Sequence, residues 1–580
     1  MMKIMSRSKI AMMAVLVAVM MVVSMMAVSA APVADAGVAN DSYAVEYTGT
    51  TAQEAVDALT NAMKEVETSG KDVEFILKSD ITLAPEEITT FVVGTDATSK
   101  GKLIVKSGLD DAGVPKFGIY LGGKAILHIK GNVQFKDVVL AKTATGTAVG
   151  DYKTASYVFV TEGKGVFGDA ADTTKYGNVT TLEPVARATR VNVAGSDIEV
   201  YSGYYMAVTS NWGGSGTDIE NPSIVIGGNA DAEYLAGRGF FLGATPKVTG
   251  TSNVVIQDEA NIYNIATAGY FRPEVPAGEE VNYSGNANLE MKGGTVQGLY
   301  AVGAALENRG TANFAVDENT HSQYKIDIKG GTINDAIAMF YYNKVMSFKG
   351  VDVTMNFGNA NYFASRVILG PRVNQANGSI SVTDCKVVAN FDGAIVDSAF
   401  YSGAFIALGK DNAETDEVVF DIQTEVNIGA NAASTFNGEV VFGTQYGSDK
   451  VFSATHKGNT VVNITAVNFT QGSFYATSSN KVVQTGRTQI KFANGDLTGA
   501  GNTEVPGGTT DTPSGDNGTT APPAGTNAPA NNDDDSKVDV GGDKDGGDNM
   551  GLIIGIIAAV VVVAVVVVVI VIAKKKKANK

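Results

Sequence analysis

Residues Asn288–Ala304 read NLEMKGGTVQGLYAVGA, and residues Lys325–Tyr342 read KIDIKGGTINDAIAMFYY. The two stretches share one text: apolar residues flanking a charged one, then Lys-Gly-Gly-Thr, then an apolar residue, then aromatics. Leu289 and Ile326 hold equivalent places, 37 residues apart. That spacing is too long for a hairpin and too short for a domain. Working outward, similar segments recur: VEFILKSDITL, ILHIKGNVQFKDVVL, RVNVAGSDIEVY, MSFKGVDVTMNF, SISVTDCKVV, VVFDIQTEVNI and TQIKFANGDL among them. Each alternates apolar with polar residues, the mark of a strand with one buried face. About fourteen such segments run from Phe75 to Phe492. Val191, Ile224, Val254, Leu289, Ile326, Met346, Ile380 and Phe420 mark the register, stepping by roughly 20 to 40 residues. Helical periodicity is nearly absent between them.

A strand returning at this interval, without helices between, predicts an all-β solenoid. Each coil supplies two or three short parallel strands, and coils stack at about 4.8 Å. The GG, GN, KD and TD pairs are bends, where Gly, Asn or Asp tolerates positive φ. About fourteen coils would make a rod of roughly 65 Å. An antiparallel sandwich is the competing architecture, but its two-residue NG and DG hairpins are scarce here. A solenoid needs a lid over its open end. TTAQEAVDALTNAMKEVETSGKD supplies one: Thr51 and Glu54 make a capping box, and Gly70 ends the helix. Ala52, Ala55, Val56, Leu59, Met63 and Val66 form its apolar stripe. A helix opening directly into a first strand, followed by coils, resembles the right-handed parallel β-helix proteins of the pectate-lyase-like fold family. In layout it also resembles β-helix adhesin-like surface proteins.

The ends set the compartment. Residues 1–30 carry a basic start (Lys3, Arg7, Lys9), a long apolar run and VSA before Ala31, the pattern of a secretory signal. Residues 31–70 hold the N-terminal segment with the helix, and 71–500 the solenoid. Residues 501–550 are a Gly-, Thr-, Pro-, Asn- and Asp-rich acidic linker, expected to be disordered. Residues 551–573 hold no charge and are dominated by Val and Ile, enough for one transmembrane helix. Residues 574–580, KKKKANK, mark the cytoplasmic side. The expected placement is therefore the cell membrane, single-pass, with the bulk outside and the C-terminus cytoplasmic. Without those two basic ends, 36 basic residues face 61 acidic ones, a net −25. Such a surface repels nucleic acid. The single cysteine, Cys385, lies in phase with Val387 and reads as a packed thiol. One cysteine forms no internal disulfide. These features, with the short lysine tail, resemble surface proteins of Gram-positive bacteria.

The resemblance implies that hydrolases and lyases of acidic polysaccharides share this scaffold, so their motifs matter. The hydrolase set NTD, DD, GHG and RIK is not assembled: His128, His321 and His456 stand in other contexts, and Asp110-Asp111 reads as a solvated turn. Arg366 and Arg372 are the best candidate lyase bases, with Asp352 and Asp392 the acids that neighbouring coils bring nearest. No metal or cofactor site is expected. A second, aromatic text recurs instead, in SGYYMAV, AGYFRPE, GLYAVGA, AMFYYN, NYFASR, AFYSGAF and GSFYAT. It follows the first strand by 11 to 22 residues and so belongs to one corner of successive coils. Either it forms an internal ladder, or one ring of each pair faces out as a binding stripe. The outward candidates are Tyr205, Tyr270, Tyr300, Tyr341, Tyr362, Tyr401 and Tyr475, with the loop residue Trp212 beside them. The expected role is adhesion or binding of an extracellular glycan or surface protein. A cell-surface polysaccharide lyase or hydrolase, and a structural coat protein, are the rivals.

Overall fold

A computed structural model of the chain describes residues 43–492, except 96–98, 146–155, 175, 178, 181–188, 242–246, 268, 272–279, 283–284, 306–311, 316–320, 343–345, 359–361, 374–379, 407–416, 447–452, 471–473, 476–477 and 479–481. The chain divides into two compact units, Met1–Asp516 and Asn517–Lys580, and every described residue belongs to the first. The expected signal, linker, span and basic tail all lie outside the described residues. Among the described residues no helix is long and apolar enough to cross a membrane.

The fold is a parallel β-solenoid. Its best-defined face, here the spine, pairs strands only in parallel and in unbroken register. One inward column climbs from Val45 and Phe75 through Phe357 and Phe391 to Ile464 and Phe492. Like residues stack on like: the rings of Phe135 and Phe167 lie 5.1 Å apart and those of Phe357 and Phe391 4.5 Å apart. Alternation along each strand keeps these residues buried while their neighbours stay partly exposed, as in Val351–Phe357. Outward, the spine is polar. Asn463 donates to Asn427, Asn427 to Asn390, Asn390 to Asn356, and Asn356 to Asp327, at 2.5–2.9 Å.

From the spine strand at Asp197–Val200 onward the turns share one layout. A spine strand such as Asn286–Met291 bends sharply into a second-face strand, Thr295–Tyr300. A third-face strand follows, Gly303–Ala305, and a long connection returns to the spine. The repeated Lys-Gly-Gly-Thr is that sharp bend. Gly294 and Gly331 hold φ of 84° and 91°, where an L side chain is strained. A methyl group on Gly331 would sit 2.7 Å from the Gly294 carbonyl oxygen, so the bends stack as closely as backbones allow. The solenoid has about ten turns where about fourteen coils are expected, and its layout changes along the chain. Before Val191 the second-face strand precedes its spine strand, as Ala125–Lys130 precedes Val133–Phe135. There the long connection follows the spine, through short strands such as Gly118–Tyr120 and Val138–Ala141.

The lid forms as its sequence requires. Helix α1 spans Ala52–Ser69, with both hydrogen bonds of the Thr51/Glu54 capping box and a left-handed Gly70 at its end. Ala55, Val56, Leu59, Ala62, Met63 and Val66 are buried against the first turns. One correction is needed: the helix does not open the solenoid. Strand β1, Tyr43–Tyr47, precedes it and pairs in parallel with β2, Val73–Leu77. Cys385 is buried, and burial pushes its thiol up to about 12, as suits a packed thiol.

Candidate functional site

The outer surface of the second face differs in kind from that of the spine. Successive turns align Ala266, Tyr300, Ile337, Ile368, Tyr401 and Val441 in one outward register column, with the Tyr475 backbone next in register. The next outward column carries Asn264, Gly298, Asp335, Arg366, Ala399 and Glu439. Outward apolar residues belong to a second buried cluster, separate from the interior core, that also contains Trp212 and Phe405.

Tyr300 lies down along its own strand. Its hydroxyl donates to Asn264 Oδ1 at 3.2 Å, and Gly298 supplies the bare backbone beneath it. Tyr401 donates to Glu439 Oε2 at 2.9 Å and stacks on Phe405, with centroids 5.2 Å apart and planes 20° apart. Phe405 belongs to the third face, at Phe405–Ile406. Arg372, also on that face, reaches Asp335 Oδ2 on the second face with Nη1 at 2.8 Å. Arg366 Nε donates to Asp335 Oδ1 at 3.1 Å and places its guanidinium 5.6 Å from the Phe405 ring centre. Contacts between outward side chains of two faces mean that these faces meet at a re-entrant angle. The result is a second apolar layer along the stack, its described aromatic and aliphatic members nearly buried. Asp335, Arg366 and Arg372 are all less than a tenth exposed. Burial raises the affinity of the Glu439 carboxyl for its proton, against the opposing hydrogen bond from Tyr401.

The predicted aromatic corner is therefore not one corner. Tyr300 and Tyr401 share the outward column of the second face, with the Tyr475 backbone next in register. Tyr270 and Tyr341 lie on the third face, in line with Arg372 and Phe405. Tyr362 begins its strand in line with Thr332. The side chains of Tyr270, Tyr341, Tyr362 and Tyr475 lie outside the described residues. Tyr205 points inward: it is fully buried, and its hydroxyl donates to the Ser202 carbonyl at 2.9 Å. Its neighbour Tyr204 faces out, half-buried, beneath the Arg190 guanidinium. Trp212 folds back onto the second face, stacked 4.1 Å from Tyr157 and edge-on to Phe159.

Asp335 is the acid beside Arg366 and Arg372, and sequence reasoning missed it. Asp352 instead accepts from His321 and Gln323 at 2.9 Å, and Asp392 binds the backbone and side chain of Asn431. Asp110 closes its own turn by accepting from the Ala112 and Val114 amides. A guanidinium stays protonated, so Arg366 and Arg372 act as fixed charges and donors. Among the described residues no three acidic, histidine or cysteine side chains group as metal ligands. No protein-family model, no curated protein and no solved structure matches the chain.

Proposed function

We propose that the protein is a membrane-anchored, extracellular β-solenoid whose work is adhesion, by binding a glycan or a partner surface along the outer side of the second face. The observation that carries this reading is the outward column from Ala266 to Val441. The spine spends its outward positions on amides and charges, whereas the second face lines them with rings and branched aliphatics. An apolar strip flanked by an amide, a carboxyl and guanidinium groups suits sugars, whose rings have apolar faces and polar rims. The signal-like start, the acidic linker and the C-terminal apolar stretch support placement outside the cell at the end of a tether.

The test is a glycan array and a cell-surface binding assay with residues 31–500, run beside a lyase assay on uronic-acid polymers with calcium. Saturable binding that falls on Tyr401→Ala supports the proposal, provided the variant keeps its circular dichroism spectrum. Cleavage of the polymer moves the reading to a polysaccharide lyase. Neither binding nor cleavage leaves the structural coat protein.

A further inference from the structure

The interior changes character toward the C-terminal end. One inward column carries Val382 and Phe420 in consecutive turns, and then His456. The spine's own inner column changes likewise, from Val353 and Val387 to Thr424, Thr460 and Thr488. His456 is 1% exposed. Its Nδ1 lies 3.3 Å from Thr444 Oγ1 and 3.5 Å from Ser478 Oγ. Phe420 stacks before it in register and Gln484 after it. Gln484 turns its amide away, to the Ser478 N–H and the Thr488 hydroxyl. None of these four neighbours titrates, and burial is the sole influence on the imidazole.

We propose that the last turns, from His456 to Phe492, form an acid-released clasp. Protonation of the His456 imidazole opens this end, while the phenylalanine- and valine-filled turns before it stay shut. A charged imidazole here has hydroxyls for company but, among the described residues, no carboxylate, and a buried charge without a counter-charge is not tolerated. Water admission relieves it, and the polar lining of these turns lets water in. The Thr460 hydroxyl is already buried without a partner.

The direction follows from linkage. Burial pushes the His456 imidazole down to about 4. Its open-state value is about 6.5. The closed clasp is therefore fully stable above about pH 6.5 and weakens as pH falls toward 4. Between pH 7.5 and pH 5 its opening constant should rise about thirty-fold.

The experiment is amide hydrogen exchange on the full chain at pH 7.5 and pH 5, corrected for intrinsic exchange rates. Peptides within 454–492 should gain about thirty-fold in opening at pH 5, while peptides from the Val191–Phe391 turns do not. His456→Phe repeats the Phe420 that precedes it in register and should remove the acid response. His456→Gln keeps a polar, non-titrating side chain and covers the case in which the larger ring fails to fold. Loss of the response in either folded variant supports the clasp. An acid response that survives in both, or that begins in the earlier turns, overturns it.

Discussion

At the scale of single residues, glycine and tyrosine act as a pair on the second face. Gly298 lets the Tyr300 ring lie flat and reach Asn264. A methyl group there would come within 2.6 Å of both the Tyr300 hydroxyl and Asn264 Oδ1. Gly298→Ala should therefore destabilise the protein by about 1–3 kcal/mol, the usual cost of overpacking, as read by chemical denaturation. Asp335 is the second sensitive position. Asp335→Asn leaves two nearly buried guanidinium groups without their shared carboxylate, and about 3–5 kcal/mol of stability should go with it. An unchanged denaturation midpoint would show that the ion cluster is solvated. Sequence alone does not reach this level of detail. In SGYYMAV both neighbours are tyrosines, so alternation does not say which faces in, and only the register of Val191 with Tyr205 decides it. Asp335 was hidden for a related reason. The ladder slips between Ile333 and Asp335, so Asp335 and Arg366 are not found by counting alternate residues.

At the scale of elements, the lid was legible residue by residue. Capping box, apolar stripe and terminal glycine are local signals, and each acts within a turn of helix. Strand β1 was not legible, since YAVEY looks like any short half-buried strand and its partner, β2, lies beyond the helix. Removing residues 51–67 should expose the apolar interior of the first turns and drive aggregation, visible by size-exclusion chromatography. A soluble, monomeric deletion would mean that something else closes that end. The milder Thr51→Ala should cost about 1 kcal/mol through the cap alone. Bends between strands carry a different kind of element, a cross-turn clamp. His321 Nδ1 meets Asp352 at 2.9 Å and Nε2 meets Asp384 at 3.4 Å, joining three successive turns. The hydrogen bond to Asp352, foremost, raises the His321 imidazole above its ordinary value. Its contribution is complete below about pH 6.5 and is lost as pH rises through the raised value. Melting temperature measured against pH should thus fall more steeply above neutrality in the natural protein than in His321→Gln. This is opposite in sign to His456.

At the scale of the whole solenoid, the repeat announced the architecture because every turn obeys the same two constraints: an inward apolar column and a bend that admits glycine. What the repeat did not announce is the second buried cluster. It arises where the third face folds back on the second, a contact between outward side chains that no periodicity encodes. The all-parallel register also governs how the molecule bears load. A pull applied at the C-terminus acts first on the last described spine strand, Thr488–Phe492, which among the described residues is held by one neighbour, Thr460–Ile464. Bonds there break in sequence rather than together, so turns should peel one at a time at low force. Each step releases one register interval: 28 residues from Ile464 to Phe492, then 36 from Ile428 to Ile464. Extended, these are about 95 Å and about 125 Å of chain. Single-molecule stretching should record a staircase of such unequal lengths, and one all-or-none rupture would contradict it. In the proposed adhesive role such a solenoid would be a reel, paying out chain to hold its grip while whatever it holds moves away.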